Sequence, residues 1–372
     1  MTAADCPSCA DERTAGAAFC EACGNQLTGP PAAGPVPTAT PAPAAMSVPA
    51  AGPVPAATPA PAAGPAATAM SVPAAGPVPV ADSVRVCLSC GTQGEIGADG
   101  YCGNCGMLAF RPRDHVETET GAAAAVTDRG LRHHRNEDAM WLAVRGPDVD
   151  VVVCDGVSSS FDPDVASQTA VDTAGVLLAA LKAGDELPER IAEAIVAAGA
   201  AVAGLAGNGD PRRATSNPAC TIVAACVRGC EVGYAWVGDS RAYWLPAEGE
   251  IVALTVDDSW ATQAISMGAD PQQTWNDPKA HAITAWLGAD AGTIAPQLGE
   301  FTATTAGQLV LCSDGLWNYL PESHSFAETV RSHLHQAGSP LGAARSLVAF
   351  ANGEGGDDNI TVAIVPVVPT AS

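Results

Sequence analysis

Between residues 114 and 367, apolar positions come in short unbroken runs that begin or end on acids. VVVC (151–154) stops at Asp155-Gly156, and LVLC (309–312) stops at Ser313-Asp314-Gly315. ITVAIV (360–365) follows Gly-Gly-Asp-Asp-Asn, and AMWLAV (139–144) follows Arg-Asn-Glu-Asp. A short continuous apolar run predicts a strand buried on both faces. Gly ends such a run by turning the chain sharply and baring its backbone. An Asp-Gly pair therefore sets a carboxylate beside an open carbonyl. Hard divalent cations take oxygen donors of this kind.

The same pattern orders the rest of this region. Strands are predicted at 139–144 and 149–154, joined through Pro147-Asp148 as a hairpin. Two Ala-rich helices follow, at 163–182 with Asp162 as cap and at 188–205 with Pro188 and Glu189 in the first turn. Ile191, Ile195, Ala198 and Val202 give the second helix an apolar stripe. A meander comes next: 221–227, 231–237 and 241–245, extended by 250–254. A short helix at 259–267, a strand at 310–312, a helical stretch and a helix at 339–352 lead to the last strand, 360–367. Strands outnumber helices and hairpins join most of them. The expected fold class is α+β, a central antiparallel β-sandwich flanked by helices in four αββα layers.

Ahead of this domain (114–367) the composition changes. Residues 29–83 are rich in Ala and Pro, lack aromatics and repeat AAGPVP from Ala32, Ala50 and Ala74. With no amphipathic period, this is read as a disordered, extended spacer. It separates two small units, 1–28 and 84–110. The first holds Cys6-x-x-Cys9 and Cys20-x-x-Cys23, the second Cys87-x-x-Cys90 and Cys102-x-x-Cys105. Four thiolates close a zinc tetrahedron with no site left for chemistry, so two structural Zn²⁺ ions in zinc ribbons are expected. Cys154, Cys220, Cys226, Cys230 and Cys312 lie among apolar strand residues and are read as core filler.

Charge narrows the partners. There are 40 acidic and 17 basic residues, a formal net charge of −23. Zinc thiolates would take this to about −27. Such a surface repels nucleic acid and anionic membranes, and it repels a phosphorylated substrate unless bound cations reverse the local field. No apolar run reaches the roughly 18 residues of a membrane span. MTAADCPSC has neither the basic nor the apolar segment of a signal peptide. A cytoplasmic location is expected.

Six stretches then carry a resemblance: TDRGLRHHRNEDA (127–139), VVCDGV (152–157), VGDSRAY (237–243), HAITAWLG (281–288), LCSDGLW (311–317) and DDNITV (357–362). In this order and spacing the chain resembles the metal-dependent Ser/Thr protein phosphatases of the 2C type. The resemblance implies a β-sandwich with two Mn²⁺ or Mg²⁺ ions at one end, a third held more loosely, and in-line attack of an activated water on phosphorus. It implies that Asp155 bridges both metals and Gly156 offers its carbonyl to one. Asp314 and Asp358 would complete the coordination of the other metal, Glu137 and Asp138 would act mostly through water, and Asp239 would help hold the third ion. Phosphorylated Ser/Thr proteins are the implied substrates, with a Ser/Thr protein kinase as a further partner. The partner of the ribbons is left open.

Three departures stand out. The family's Asp-Gly-x-Gly-Gly reads Asp155-Gly156-Val157-Ser158-Ser159 here. Val157 stands where animal members often carry a His thought to protonate the leaving oxygen. His133 stands where the family has its phosphate-binding Arg. On extended chain His133 and Arg135 would share a face, so these two are the candidate phosphate contacts, with Arg132 a solvated charge. His281 is read as structural, and Asp257 and Asp258 as surface acids. A phosphatase-like adaptor without turnover and a phosphatase of small phosphoesters are the competing readings.

Overall fold

The structure is a computed structural model that describes residues 92, 102–104, 111–182, 184–207 and 216–369, all within the unit Val84–Ser372. Cys6, Cys9, Cys20, Cys23, Cys87, Cys90, Cys105 and the 29–83 segment lie outside the described residues. Cys102 is buried, and nearby the Asn104 amide donates to Thr92 Oγ1 at 2.8 Å.

From residue 115 the chain forms β1 (His115–Thr120), β2 (Ala123–Asp128), β3 (Ala139–Arg145) and β4 (Asp148–Cys154), then helices α1 (Pro163–Ala179) and α2 (Leu187–Gly204). After these come β5 (Ala219–Cys220), β6 (Ile222–Arg228), β7 (Glu231–Val237), β8 (Arg241–Pro246) and β9 (Val252–Ala253). Short helices α3 (Trp260–Ser266) and α4 (Pro271–Trp275) precede β10 (Leu287–Gly288), β11 (Gln297–Thr302) and β12 (Gly307–Cys312). The chain closes with α5 (Asp314–Trp317), α6 (Ser323–Ala337), α7 (Pro340–Glu354) and β13 (Ile360–Val367).

Two antiparallel sheets result, ordered β1-β2-β13-β12-β8-β9 and β11-β7-β6-β4-β3, with β10-β5 as a small separate pair. β4 shows why the apolar runs are continuous. Val149, Val151 and Val153 enter the layer between the sheets, with Val223 and Ala225 of β6 and Leu309 and Leu311 of β12. Val152 and Cys154 face the other way, onto the buried sides of α1 and α2. β13 divides likewise: Ala363 and Val365 face the first sheet's partner, and Val362 and Ile364 face α6 and α7. Every central strand is thus covered on both sides, which gives the four αββα layers.

The stripe Ile191, Ile195, Ala198 and Val202 is buried as its period predicts. The stretch Leu187–Gly207 is long and apolar enough by length and composition to cross a membrane, but this face belongs to the core beneath the five-stranded sheet. α1 ends at Ala179, short of the expected 182. Asp162 precedes it in a left-handed conformation (φ 53°) and makes no side-chain cap bond. β1, β2, β11 and α4 are additions to the expected elements. Asp257 is a correction: it is buried, with Arg241 forked onto it at 2.9 and 2.6 Å. Asp258 is also engaged, accepting from the Gly238 N–H at 2.9 Å and the Gln297 amide at 2.7 Å.

Candidate active site

The acids singled out in the sequence meet at one edge of the sandwich. Asp155 and Gly156 leave β4, Glu137 and Asp138 enter β3, Asp239 lies in the β7–β8 turn, Asp314 opens α5, and Asp358 precedes β13. Asp155, Gly156, Asp239, Asp314 and Asp358 line one cavity of about 180 Å³.

Close backbone packing sets these positions. A Cβ at Gly156 would stand 2.7 Å from the carbonyl oxygens of both Glu137 and Pro163, so only glycine lets β4 end between them. Gly130 turns at φ +72°, and a Cβ there would lie 2.0 Å from the Asp358 carbonyl oxygen. The buried Asn359 amide staples the loops together. Its Oδ1 accepts from the Glu137 N–H at 2.6 Å, and its Nδ2 donates to the Arg129 and Arg135 carbonyls at 2.7 and 2.9 Å. Thr221 receives the Asp155 N–H at 3.3 Å and returns its own N–H to the Asp155 carbonyl at 2.8 Å. Sequence reading assigned no role to Asn359, Thr221, Ser313 or Thr361. Three of these lie within or beside the matched stretches, but the partners are remote in sequence and become visible only in the fold.

Asp138 is buried. Its Oδ2 accepts from Ser313 at 2.7 Å and Thr361 at 2.6 Å, while its Oδ1 has no partner. Asp314 repeats the pattern, with Oδ2 taking the Asn318 amide at 3.1 Å and Oδ1 left without a partner. Burial, then repulsion from Asp358 and Asp314, pushes Asp138 up to about 8 despite its hydroxyl partners. Burial and Asp358 push Asp314 up to about 6. Burial and neighbouring acids raise Asp155 and Asp239 well above the carboxylate range. Burial also raises Glu137, opposed by a 2.7 Å hydrogen bond from Ser158.

Mutual repulsion among buried acids with orphaned oxygens is relieved by a divalent cation. An all-oxygen donor set suits Mg²⁺ or Mn²⁺ and not Zn²⁺. Among the described residues no three of these side chains close into a ready-made cage.

The basic residues part company. Residues 130–135 form turns and bends, so the strand alternation that would pair His133 with Arg135 is absent. His133 Nε2 lies 3.3 Å from Asp358. Arg135 points to Asp164 at 3.7 Å and is half exposed. Arg132 pairs with Asp357 at 2.7 Å on the surface. The altered loop after Gly156 is held by Val157 N–H donating to the Ala219 carbonyl and Ser160 N–H donating to the Val157 carbonyl. Ser158 supplies a hydroxyl to Glu137 that a glycine lacks. His281, read as structural, lines the acid cavity with Ile283.

The protein phosphatase 2C family model matches residues 130–351, more than half of the chain, and a double zinc ribbon model matches residues 6–106. The serine/threonine phosphatase stp of Listeria monocytogenes is 29% identical over 244 residues, 64% of this chain and 93% of its own. The serine/threonine protein phosphatase PstP of Mycobacterium tuberculosis is 27% identical over 246 residues, 66% of this chain and 45% of PstP. The chain thus spans about half the length of that relative. A crystal structure of PstP superposes at TM-score 0.55 with 25% identity, covering 67% of this chain and 98% of that one. A PstP catalytic domain in complex with two manganese ions gives TM-score 0.52 at 26% identity, covering 68% and 99%. The chain therefore belongs to the protein phosphatase 2C family, with a double zinc ribbon ahead of the family's domain.

Proposed function

We propose that this protein is a Mn²⁺- or Mg²⁺-dependent phosphatase that hydrolyses phosphoserine and phosphothreonine in proteins. One observation carries the reading: Asp155, Asp239, Asp314 and Asp358 crowd one cavity, and Asp314 and the nearby buried Asp138 each keep an oxygen without a partner. Asp155, the Gly156 carbonyl, Asp314 and Asp358 would hold two cations, with Glu137, Asp138 and Asp239 around them. When bound, the cations acidify a water and neutralise phosphate oxygens. The protein's own part is to fix the acids. Asn359 and Thr221 hold the backbone at Glu137 and Asp155, and Ser313 and Thr361 fix one oxygen of Asp138, leaving the other without a partner. His133, beside Asp358, and Arg135 are the proposed contacts to the phosphate and its peptide. The eight cysteines of residues 6–105 would hold two structural Zn²⁺ ions and present a partner, with a cytoplasmic location.

The test is turnover of a phosphothreonine peptide and of p-nitrophenyl phosphate with Mn²⁺, with EDTA, and in Asp155→Asn. Mn²⁺-dependent release of phosphate from the peptide, lost in EDTA and in Asp155→Asn, is expected. Peptide binding without turnover would favour the adaptor, and turnover of the small ester alone would favour a small-molecule phosphatase.

A further inference from the structure

Resting on that phosphatase reading, we infer that His281 is the general acid that protonates the departing serine or threonine oxygen. An alkoxide is a poor leaving group, so its departure calls for a positioned proton donor. Val157 offers none. Among the described side chains lining the cavity, the remaining choices are few. The acids are the proposed cation ligands. The Ser158 hydroxyl is given to Glu137, and Thr221 Oγ1 is engaged by Ser240 and the Asp155 N–H. His281 is the one nitrogen acid on that wall, and histidine is the side chain suited to proton transfer near neutral pH.

Its placement is built. The imidazole sits between Trp275 and Trp317, with ring centroids 5.8 and 6.2 Å away. Trp317 is buried, and its indole N–H donates to the Asp239 carbonyl at 3.0 Å. The Arg241 guanidinium lies 3.5 Å over the Trp317 ring. The backbone is tied on both sides of the residue: the Ala280 carbonyl accepts from Ala261 N–H at 3.1 Å, and the Ala282 carbonyl from Trp260 N–H at 2.8 Å. The ring thus packs near Trp317, which is bonded to the loop that carries Asp239, and His281 is an exposed residue on the cavity wall.

The step balances simply. A water oxygen bonds to phosphorus as the bond from phosphorus to the alcohol oxygen breaks. The electron pair of that bond stays on the alcohol oxygen, which takes a ring N–H proton from His281. The proton lost by the attacking water restores the imidazolium through solvent. The products are the free hydroxyl side chain and inorganic phosphate.

The test exploits leaving-group acidity. p-Nitrophenolate departs without a proton, whereas a threonine alkoxide does not. With the full chain and Mn²⁺, His281→Ala should lower kcat for a phosphothreonine peptide about 100-fold. It should change kcat for p-nitrophenyl phosphate by less than about threefold, and added imidazole should restore part of the peptide rate. His281→Gln, which keeps a similar volume between the tryptophans, should show the same split. Equal losses on both substrates, or no loss on either in both variants, would overturn the assignment. A wild-type chain unable to hydrolyse the peptide would overturn the phosphatase reading and this inference with it.

Discussion

Asp138, Asp155, Asp239 and Asp314 are raised by burial and by one another, and this has a measurable cost. An acid whose folded pKa lies above its unfolded value destabilises the folded state as pH rises. For Asp314 that loss runs from about 4 to about 6, and for Asp138 from about 4 to about 8. The metal-free protein should therefore melt at a lower temperature at pH 8 than at pH 5.5, and Mn²⁺ should remove or reverse the difference because it binds the ionised form. His115 acts in the same direction: burial lowers its pKa, but the hydrogen bonds its ring donates to Asp128 and Glu117 outweigh that and raise it, so its contribution fades above pH 6.5. Asp155→Asn isolates the cluster. It should raise the metal-free melting temperature at pH 8 by about 2–4 °C, about 1 kcal/mol, while abolishing turnover. Calorimetry in EDTA at the two pH values is the check. A lower melting temperature for the variant would mean that the acids do not repel one another as placed.

Loops and strands that position the site were unevenly legible. β4, β6 and β13 were found because Val and Ile mark a strand buried on both faces. β1 and β2 were missed because HVETET carries little apolar signal and AAAAV favours helix by propensity. Those alanines are buried only because β13 pairs with β2 and the second sheet covers it. The acids were readable as strand-end motifs. Their supports were not, since Asn359 meets Glu137 across 222 positions of chain. The conformation around His133 and Arg135 was illegible for a related reason: the segment read as extended chain forms turns and bends. Asn359→Ala is the prediction that belongs here. It strands one donor, the Glu137 N–H, and two acceptors, the Arg129 and Arg135 carbonyls, in a buried loop junction, a loss of about 2–3 kcal/mol. Release of Glu137 and the 129–135 turn should also weaken apparent Mn²⁺ affinity tenfold or more. Chemical denaturation and Mn²⁺ titration of turnover measure the two effects. A stability loss with unchanged Mn²⁺ dependence would show that the staple is structural and does not place the acids.

At the scale of the whole molecule, chemistry and cysteine pairs occupy different parts of the chain. Every acid proposed to hold a catalytic cation, and every residue lining the cavity, lies between residues 137 and 358. The double zinc ribbon match ends at residue 106. The folded domain supplies its own N-terminal anchor: Arg111 forks onto Asp114 at 3.2 and 3.1 Å, and Asp114 in turn takes the Asn136 N–H at 3.3 Å, one residue before Glu137. A chain cut just ahead of Arg111 should therefore keep kcat/KM on a phosphothreonine peptide within about twofold, while losing about two zinc ions. Its deficit should appear on a protein substrate that the ribbons bind. A tether raises local concentration to the millimolar range without touching the active site. The cut chain should then match the full chain at saturating substrate and fall behind only when substrate is dilute. Zinc content, peptide kcat/KM and the concentration dependence on the protein substrate read these separately. A cut chain that folds, keeps Arg111 paired and yet loses peptide turnover would place the cysteine-rich units inside the catalytic unit rather than beside it.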